Sequence, residues 1–286
     1  MGKDKNRDLN KSYTFKRPVG FDLDQIFDCG QSFRFVKSSD HSYSGIAFGK
    51  AIDFYQKDDE ITIFGSDEND FENIWKSYLA LDLDYSELRS SIASARPNDD
   101  ILKNAMEYGS GIRLLRQEKW ETLCSFIISQ NNNIPRIRSL VEAISREFGD
   151  KIESYSVGEF YSFPSAERIA NAGVDRLREL KVGFRAPYII DAATRVASGE
   201  IDLEELDTLT TDELLSSLMK IKGVGLKVAS CVALFSYSRL DCFPIDVWVK
   251  RVLEKYYPEG FDHTELGNTA GLVQQYLFYY ERYINS

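Results

Sequence analysis

The spacing of apolar positions changes near residue 68. Between about residues 13 and 66, apolar and polar side chains alternate, as in Ser42-Tyr43-Ser44-Gly45-Ile46-Ala47-Phe48 and Ile61-Thr62-Ile63-Phe64, with glycine and Asp-Asp turns between. Alternation broken by turn residues predicts an antiparallel sheet. Beyond residue 68 the period is helical. Trp120, Leu123, Cys124, Ile127 and Ile128 share one face, and Ile134, Ile137, Leu140, Val141, Ile144 and Phe148 form a stripe that stops at Gly149. Ser165 opens a further helix after Phe163-Pro164, and Gly183-Phe184-Arg185-Ala186-Pro187 separates two more. The pattern predicts an α+β chain, an antiparallel N-terminal sheet joined to a mostly helical body. Residues 1–12 are expected to be a disordered tail, 13–105 a β domain, and 106–286 a helical region.

The stretch Leu218 to Lys250 has its own punctuation. Gly223-Val224-Gly225 lies between an apolar-periodic run ending near Ile221 and a second run, Val228 to Phe235, that begins at Lys227. This is a helix, a tight glycine turn and a second helix. Glycines there accept positive φ and let another molecule approach the backbone closely. The unpaired amides at the start of the second helix, with the positive end of its dipole, can hold a phosphate. Pro244-Ile245-Asp246 then precedes a third run, Val247 to Leu253, which places Asp246 as an N-cap. Between the earlier helices stands Gln130-Asn131-Asn132-Asn133. One asparagine accounts for a helix cap; three supply more donors and acceptors than a cap needs.

The chain has 286 residues, 43% of them hydrophobic, enough for two or three domains. No apolar run is long enough to cross a membrane, and the polar start MGKDKNRDLNKSY lacks an apolar signal core, so an intracellular protein is expected. Cys29, Cys124, Cys231 and Cys242 are scattered without metal-type spacing and read as reduced thiols. The net charge of −10 counts against nucleic-acid binding, but its distribution matters more. Acidic residues crowd into Asp58 to Glu87 and Glu200 to Glu213. Arg113, Arg116, Arg136, Arg138, Lys181, Arg185, Lys222, Lys227, Lys250 and Arg251 are expected around the candidate site.

The hairpin, the Pro-Ile-Asp stretch and the separation of Lys227 from Asp246 (246 − 227 = 19) resemble the helix-hairpin-helix DNA glycosylase superfamily. Taken singly, a first-turn lysine is ordinarily a solvated side chain and an aspartate before a helix an ordinary cap. Gly30-Gln31-Ser32-Phe33-Arg34, Gly111 to Gln117, Ser129 to Ile137, Phe163-Pro164-Ser165, Gly183-Phe184-Arg185-Ala186, Gly223 to Ala229 and Pro244 to Val247 occur in the order found in 8-oxoguanine DNA glycosylases. Together they cover residues from about 20 to 280.

The resemblance implies a bifunctional glycosylase and abasic-site lyase acting on double-stranded DNA that contains oxidised guanine, with the lesion base flipped into a pocket. Two helical subdomains would hold the site at their junction. By residue-to-residue matching, Lys227 is the nucleophile at C1′ and forms a Schiff base, and Asp246 stabilises positive charge on the sugar. Because an amine attacks only when neutral, the site would have to lower the lysine pKa from about 10. Gly30 would offer its carbonyl to the N7 donor of 8-oxoguanine; Cys231 and Phe278 would sandwich the base, and Gln274 would read its Watson-Crick edge. Asn131, Arg136 and Arg185 would meet an opposite cytosine, with Phe184 as the wedge. Gly223, Val224 and Gly225 would grip phosphate. No metal or organic cofactor is implied, although the hairpin carbonyls would suit an alkali cation, and a monomer suffices. The chain departs from many members at Trp248, Phe184 and Ser230. Two alternatives stay open: a glycosylase of the same fold for another lesion, and a non-catalytic DNA-binding module.

Overall fold

The computed structural model describes residues 11–154 and 158–284. Most of the expected tail lies outside the described residues, and Ser12 already belongs to a strand. β1 (Ser12–Lys16), β2 (Val36–Ser39), β3 (Ser42–Ala47), β4 (Lys50–Lys57) and β5 (Glu60–Phe64) form an antiparallel sheet of order β1-β5-β4-β3-β2. Register sets Tyr43 opposite Phe54 and Phe54 opposite Ile63, one row of large side chains on one face. That row packs with Phe71 and Trp75 of a π-helical turn (Phe71–Trp75) and Tyr78 of α3 (Lys76–Tyr78); the turn joins α3 to α2 (Glu68–Asp70). Trp75 is fully buried, its indole N–H donating to Ser66 Oγ at 2.7 Å.

Two features differ from the sequence reading. Within the stretch read as sheet, Leu23–Asp28 is a helix, α1. Asp22 caps it by accepting from the Gln25 amide at 3.0 Å, and Leu23, Ile26 and Phe27, spaced three and four apart, enter the core. The strands end at Phe64, close to where the alternation stops, and the rest of the expected 13–105 domain is largely helical. α4 (Tyr85–Ala95) and α5 (Asp100–Tyr108) contribute Ile92, Leu102, Ala105 and Met106 to the helical cluster, not to the core beneath the sheet.

The rest of the chain is α6 (Lys119–Ser129), α7 (Ile134–Phe148), a ribbon of β6 (Lys151–Ile152) and β7 (Phe160–Tyr161), and then α8 (Ala166–Glu179), α9 (Ala186–Ala197), α10 (Thr211–Leu218), α11 (Leu226–Ser236), α12 (Val247–Tyr256) and α13 (Ala270–Ile284). Asn133 and Ser165 cap α7 and α8 as their positions predict. α6 and α11 are buried almost all round and stack Phe126 on Phe235 at 5.4 Å. The first turn of α11 carries Lys227, so the candidate nucleophile stands at the end of the most deeply buried helix.

Polar groups lock the two clusters together. Gln31, fully buried, donates from Nε2 to the carbonyls of Ile26 and Arg113 at 2.9 and 2.8 Å and accepts the Leu115 amide at 2.9 Å. Arg113, 1% exposed, bonds the carbonyls of Leu79, Ala80 and Leu83. Arg34 donates to Ser145 Oγ at 2.8 Å and to the Tyr161 carbonyl, and lies 3.4 Å from Glu121. Burial, and to a lesser degree the neighbouring Glu118, outweigh the pull of Arg34 and push the Glu121 carboxyl up to about 7.

The folded state therefore holds this proton more tightly than the unfolded chain, and the contribution is lost as pH rises from 4.5 through about 7. Glu121→Gln, whose amide can still accept from Arg34, is expected to flatten that dependence and to melt above the parent at alkaline pH. Thermal unfolding followed across pH checks it; parallel curves for the two proteins would remove Glu121 as the titrating group.

A candidate active site at the hairpin

α10 begins with a capping box in which Thr210 and Glu213 satisfy each other's neighbouring amides, and it ends ahead of the glycine turn. At Gly223, φ is +78°, and a Cβ there would lie 2.3 Å from the ring of Tyr188 on α9, so both conformation and space require glycine. Asp191, one turn further along α9, accepts the Lys222 amide at 2.8 Å and fixes the turn from below. Val224 is buried and Gly225 is the extended N-cap of α11. Gly225 faces open space, which leaves the first amides of α11 accessible to an anion.

Asp246 caps α12. Its Oδ1 accepts the amides of Trp248 and Val249 at 2.9 and 2.8 Å, which is the local role its position predicts. Burial nevertheless raises its carboxyl above the usual range, against the pull of those amides and of Lys227. The Lys227 ammonium reaches Ser129 Oγ at 3.3 Å and lies 5.5 Å from the ring centre of Phe126. Burial also pushes the Cys231 thiol up to about 11. At the bottom of the site, then, a buried sulfur stays neutral beside an opposed pair of charges.

Gly30, Asn131, Gly225, Lys227, Cys231, Asp246, Gln274 and Phe278 all line one cavity of about 760 Å³. They come from five separate stretches of chain. Gln274 is 4% exposed, and its Oε1 is among the buried side-chain atoms with no hydrogen-bond partner among the described residues. A buried acceptor without a donor is costly, and a ligand that brings a donor removes the cost. Cys231 and Phe278 present apolar surface to the same space.

Arg136, Phe184, Arg185, Gly223 and Val224, the remaining predicted residues, do not line this cavity. Phe184 is 52% exposed with Arg185 stacked on its ring at 4.4 Å, and Arg136 bonds the Lys181 carbonyl at 3.2 Å. Arg185 has a different immediate task. It is 6% exposed and spends its guanidinium on the carbonyls of Gln130, Asn131 and Val182, holding the asparagine loop in place. Asn131 in that loop has φ of +48°, a left-handed conformation that asparagine tolerates better than most residues. Leu226, Ile245 and Val247 are 61%, 46% and 65% exposed beside the hairpin and Asp246. An apolar and amide-rich rim of this kind suits a partner whose charge the backbone can meet.

Family models match in tandem: the N-terminal domain of 8-oxoguanine DNA glycosylase over residues 14–123, and the HhH-GPD superfamily base excision DNA repair protein over 124–266. The structure of MBOgg1 in complex with a low affinity DNA ligand superimposes with a TM-score of 0.91 at 39% identity, covering 96% of each chain. The chain belongs to the 8-oxoguanine DNA glycosylase family. Another similar member is the Clostridium acetobutylicum 8-oxoguanine glycosylase/lyase in complex with double-stranded DNA containing cytosine opposite to 8-oxoG. Its TM-score is 0.87 at 35% identity, over 98% of this chain and 100% of that one. The N-glycosylase/DNA lyase of Saccharomyces cerevisiae is 37% identical over 158 residues, 51% of this chain and 42% of its own length. Against that relative the chain spans less than half of the protein.

In this glycosylase, sequence reasoning passed over Ser129, the hydrogen-bond partner of Lys227, and the fully buried Gln31, although both lie inside stretches that carry the family resemblance. Gln275, in the helix that carries Gln274, also went unremarked. Two adjacent glutamines in so apolar a helix were the available signal.

The double duty of Asp246 can be separated. Asp246→Asn keeps a side-chain acceptor at the cap and removes the buried charge, while Asp246→Ala loses the cap, at about 1 kcal/mol. Because the folded carboxyl holds its proton above the ordinary range, its ionisation opposes folding as pH rises. Thermal melts near neutrality should place Asp246→Asn at or above the parent and Asp246→Ala below it, with the first difference closing in acid. Equal destabilisation by both would deny the burial cost.

Proposed function

We propose that this protein excises 8-oxoguanine from duplex DNA and cleaves the strand at the resulting abasic site, using Lys227 as nucleophile. The observation that carries the reading is the cavity itself. It joins a lysine and a buried aspartate to an unsatisfied glutamine acceptor, a cysteine, a phenylalanine ring and a glycine backbone. The family membership and the DNA complexes of similar proteins support the same reading.

The chemistry follows from the placement of the groups. A base must leave the stack before C1′ is accessible, and a cavity of this size at the end of α11 receives it. Lys227, as the free amine, attacks C1′; the N–C bond forms as the glycosidic bond breaks, and the electrons of that bond leave with the base. Asp246, ionised, lies near the sugar and stabilises the positive charge that develops there. Opening of the sugar ring gives the Schiff base. Loss of a C2′ proton then expels the 3′ phosphate by β-elimination. No step draws on a metal or an organic cofactor.

Base selection rests on complementarity. 8-Oxoguanine carries a proton at N7 where guanine has a lone pair, so the Gly30 carbonyl accepts from the lesion and opposes the normal base. The difference is worth about 1 to 3 kcal/mol. Gln274 takes the Watson-Crick edge, with Cys231 and Phe278 on the faces. Asn131 and Arg136 read the orphaned cytosine, Phe184 fills the gap in the stack, and Arg185 braces the loop that presents Asn131. The turn at Gly223 and Gly225 and the first amides of α11 hold a phosphate, the Val224 amide being already bonded to the Ile221 carbonyl at 3.0 Å; a chain of net charge −10 can do this without a broad basic surface.

Borohydride trapping on a duplex with 8-oxoguanine opposite cytosine tests the core of this reading. The parent should yield a covalent adduct. Lys227→Gln should lose the adduct and at least about three orders of magnitude of excision while still binding the duplex. Tight binding without any adduct from the parent would favour a non-catalytic module, and an adduct only on another lesion would favour a glycosylase of different substrate.

Opposite-base preference is a separate matter. Arg136→Ala should bring the excision rates opposite the four bases to within about three-fold of one another, the loss expected when one charged hydrogen-bond donor to a base is removed. An unchanged ranking in a single-turnover assay would release Arg136 from that role.

A further inference from the structure

The carbonyls from Ile26 to Gln31 are held in an unusual way. Side-chain donors, most of them from other parts of the chain, reach nearly all of them. Gln31 Nε2 bonds the Ile26 carbonyl at 2.9 Å, and Arg138 the Phe27 carbonyl at 3.2 Å. Arg282 bonds the Asp28 carbonyl at 2.7 Å, Gln275 bonds the Cys29 carbonyl, and Gln117 bonds the Gln31 carbonyl at 2.8 Å. Among the described residues no donor reaches the carbonyl of Gly30, which lines the cavity. The run is therefore clamped on both sides of a single acceptor.

Gly30 needs such clamping more than its neighbours do. Its φ is +80°, a conformation strained for any side chain, and a Cβ there would press on the Phe278 ring at 3.1 Å and on Ile134 Cδ1 at 3.4 Å. Glycine is also the residue with the widest choice of φ and ψ. A carbonyl set on it points in a fixed direction only if the flanking peptide planes are fixed by something else. Downstream, Gln31 is pinned through its own side chain and through its carbonyl. Upstream, the Cys29–Gly30 peptide has one side-chain anchor among the hydrogen bonds described, Gln275, which is 2% exposed.

We propose that Gln275 is a specificity-determining positioning residue: by holding the Cys29 carbonyl, it keeps the unbonded Gly30 carbonyl aimed into the cavity at the N7–H of a flipped oxidised purine. The inference rests on the reading that Gly30 distinguishes the lesion. Gln275 acts through Gly30 and need not touch the base. It lies beside Gln274 on α13, so one helix presents the acceptor that reads one edge of the base and steadies the acceptor that reads the other.

The test compares single-turnover excision of 8-oxoguanine opposite cytosine with cleavage at a preformed abasic site in the same duplex, which involves no base in the pocket. Gln275→Met has similar bulk and no donor. Its ratio of excision to abasic cleavage should fall about ten-fold, the loss expected when one buried donor is removed. Gln275→Glu keeps the shape, and its carboxyl can donate only when protonated. Its ratio should recover toward that of the parent as pH is lowered, while the Gln275→Met ratio does not. A folded Gln275→Met protein with the parental ratio would overturn the proposal, as would both activities falling in proportion or a Gln275→Glu ratio that ignores pH. Failure of the parent itself to favour 8-oxoguanine over guanine would overturn the underlying reading of Gly30 and this inference with it, an outcome visible before any variant is made.

Discussion

Two separately packed hydrophobic clusters meet without merging, and the buried apolar residues that line the cavity belong to the helical one. Apolar surfaces alone would close on each other to native density without fixing one docking. Here the seam carries Gln31, Arg113, Arg34 and Glu121, polar groups whose hydrogen bonds can be satisfied in only one arrangement. Such groups add little net stability, but they make every alternative docking of the two clusters expensive, because each would strand a buried donor or acceptor. The position of the site follows from that rigidity. Residues far apart in sequence can face one space at hydrogen-bond accuracy only if the bodies that carry them cannot slide.

Within the cavity the same low-polarity surroundings work in the opposite direction. They raise the Asp246 carboxyl and the Cys231 thiol, so the site is partly destabilised in the resting protein. A buried carboxylate with only two amides and a neighbouring ammonium is less well solvated than it would be in water. Positive charge appearing on a sugar nearby would supply what it lacks. In the proposed reaction this would favour the charged transition state over the empty site, which is the difference that accelerates a reaction.

Much of this was legible in the sequence where the cause is local. Asn133, Ser165 and Asp246 are caps because each precedes an apolar-periodic run, and each caps its helix in the structure. The sheet was legible from alternation. The helix at Leu23–Asp28 was overlooked because six residues inside an alternating region offer barely one helical period, although Asp22 stood at its start as a cap. Arg185 was assigned to the opposite base by family resemblance, and its bracing of the asparagine loop had no local signature. Its buried position depends on carbonyls more than fifty residues away. The bond between Gln275 and Cys29 spans 246 positions and has no local signature beyond two adjacent glutamines in an apolar helix. Local patterning reports elements and caps; which side chain braces which loop is decided by how the elements pack.

Helix α9 links parts of the site that look independent. Its residue Tyr188 lies beneath Gly223 of the hairpin and also packs edge-on against Phe184, while Asp191 ties down the amide of Lys222. Tyr188 and Asp191 are one helical turn apart, about 4.5 Å along the axis. The exposed aromatic and the glycine turn are thus braced by one short helix. If both engage DNA as proposed, a shared support of this kind does not adjust to an undistorted duplex: the strain falls on the nucleic acid, and a duplex already weakened at one base pair fits at lower cost than a sound one.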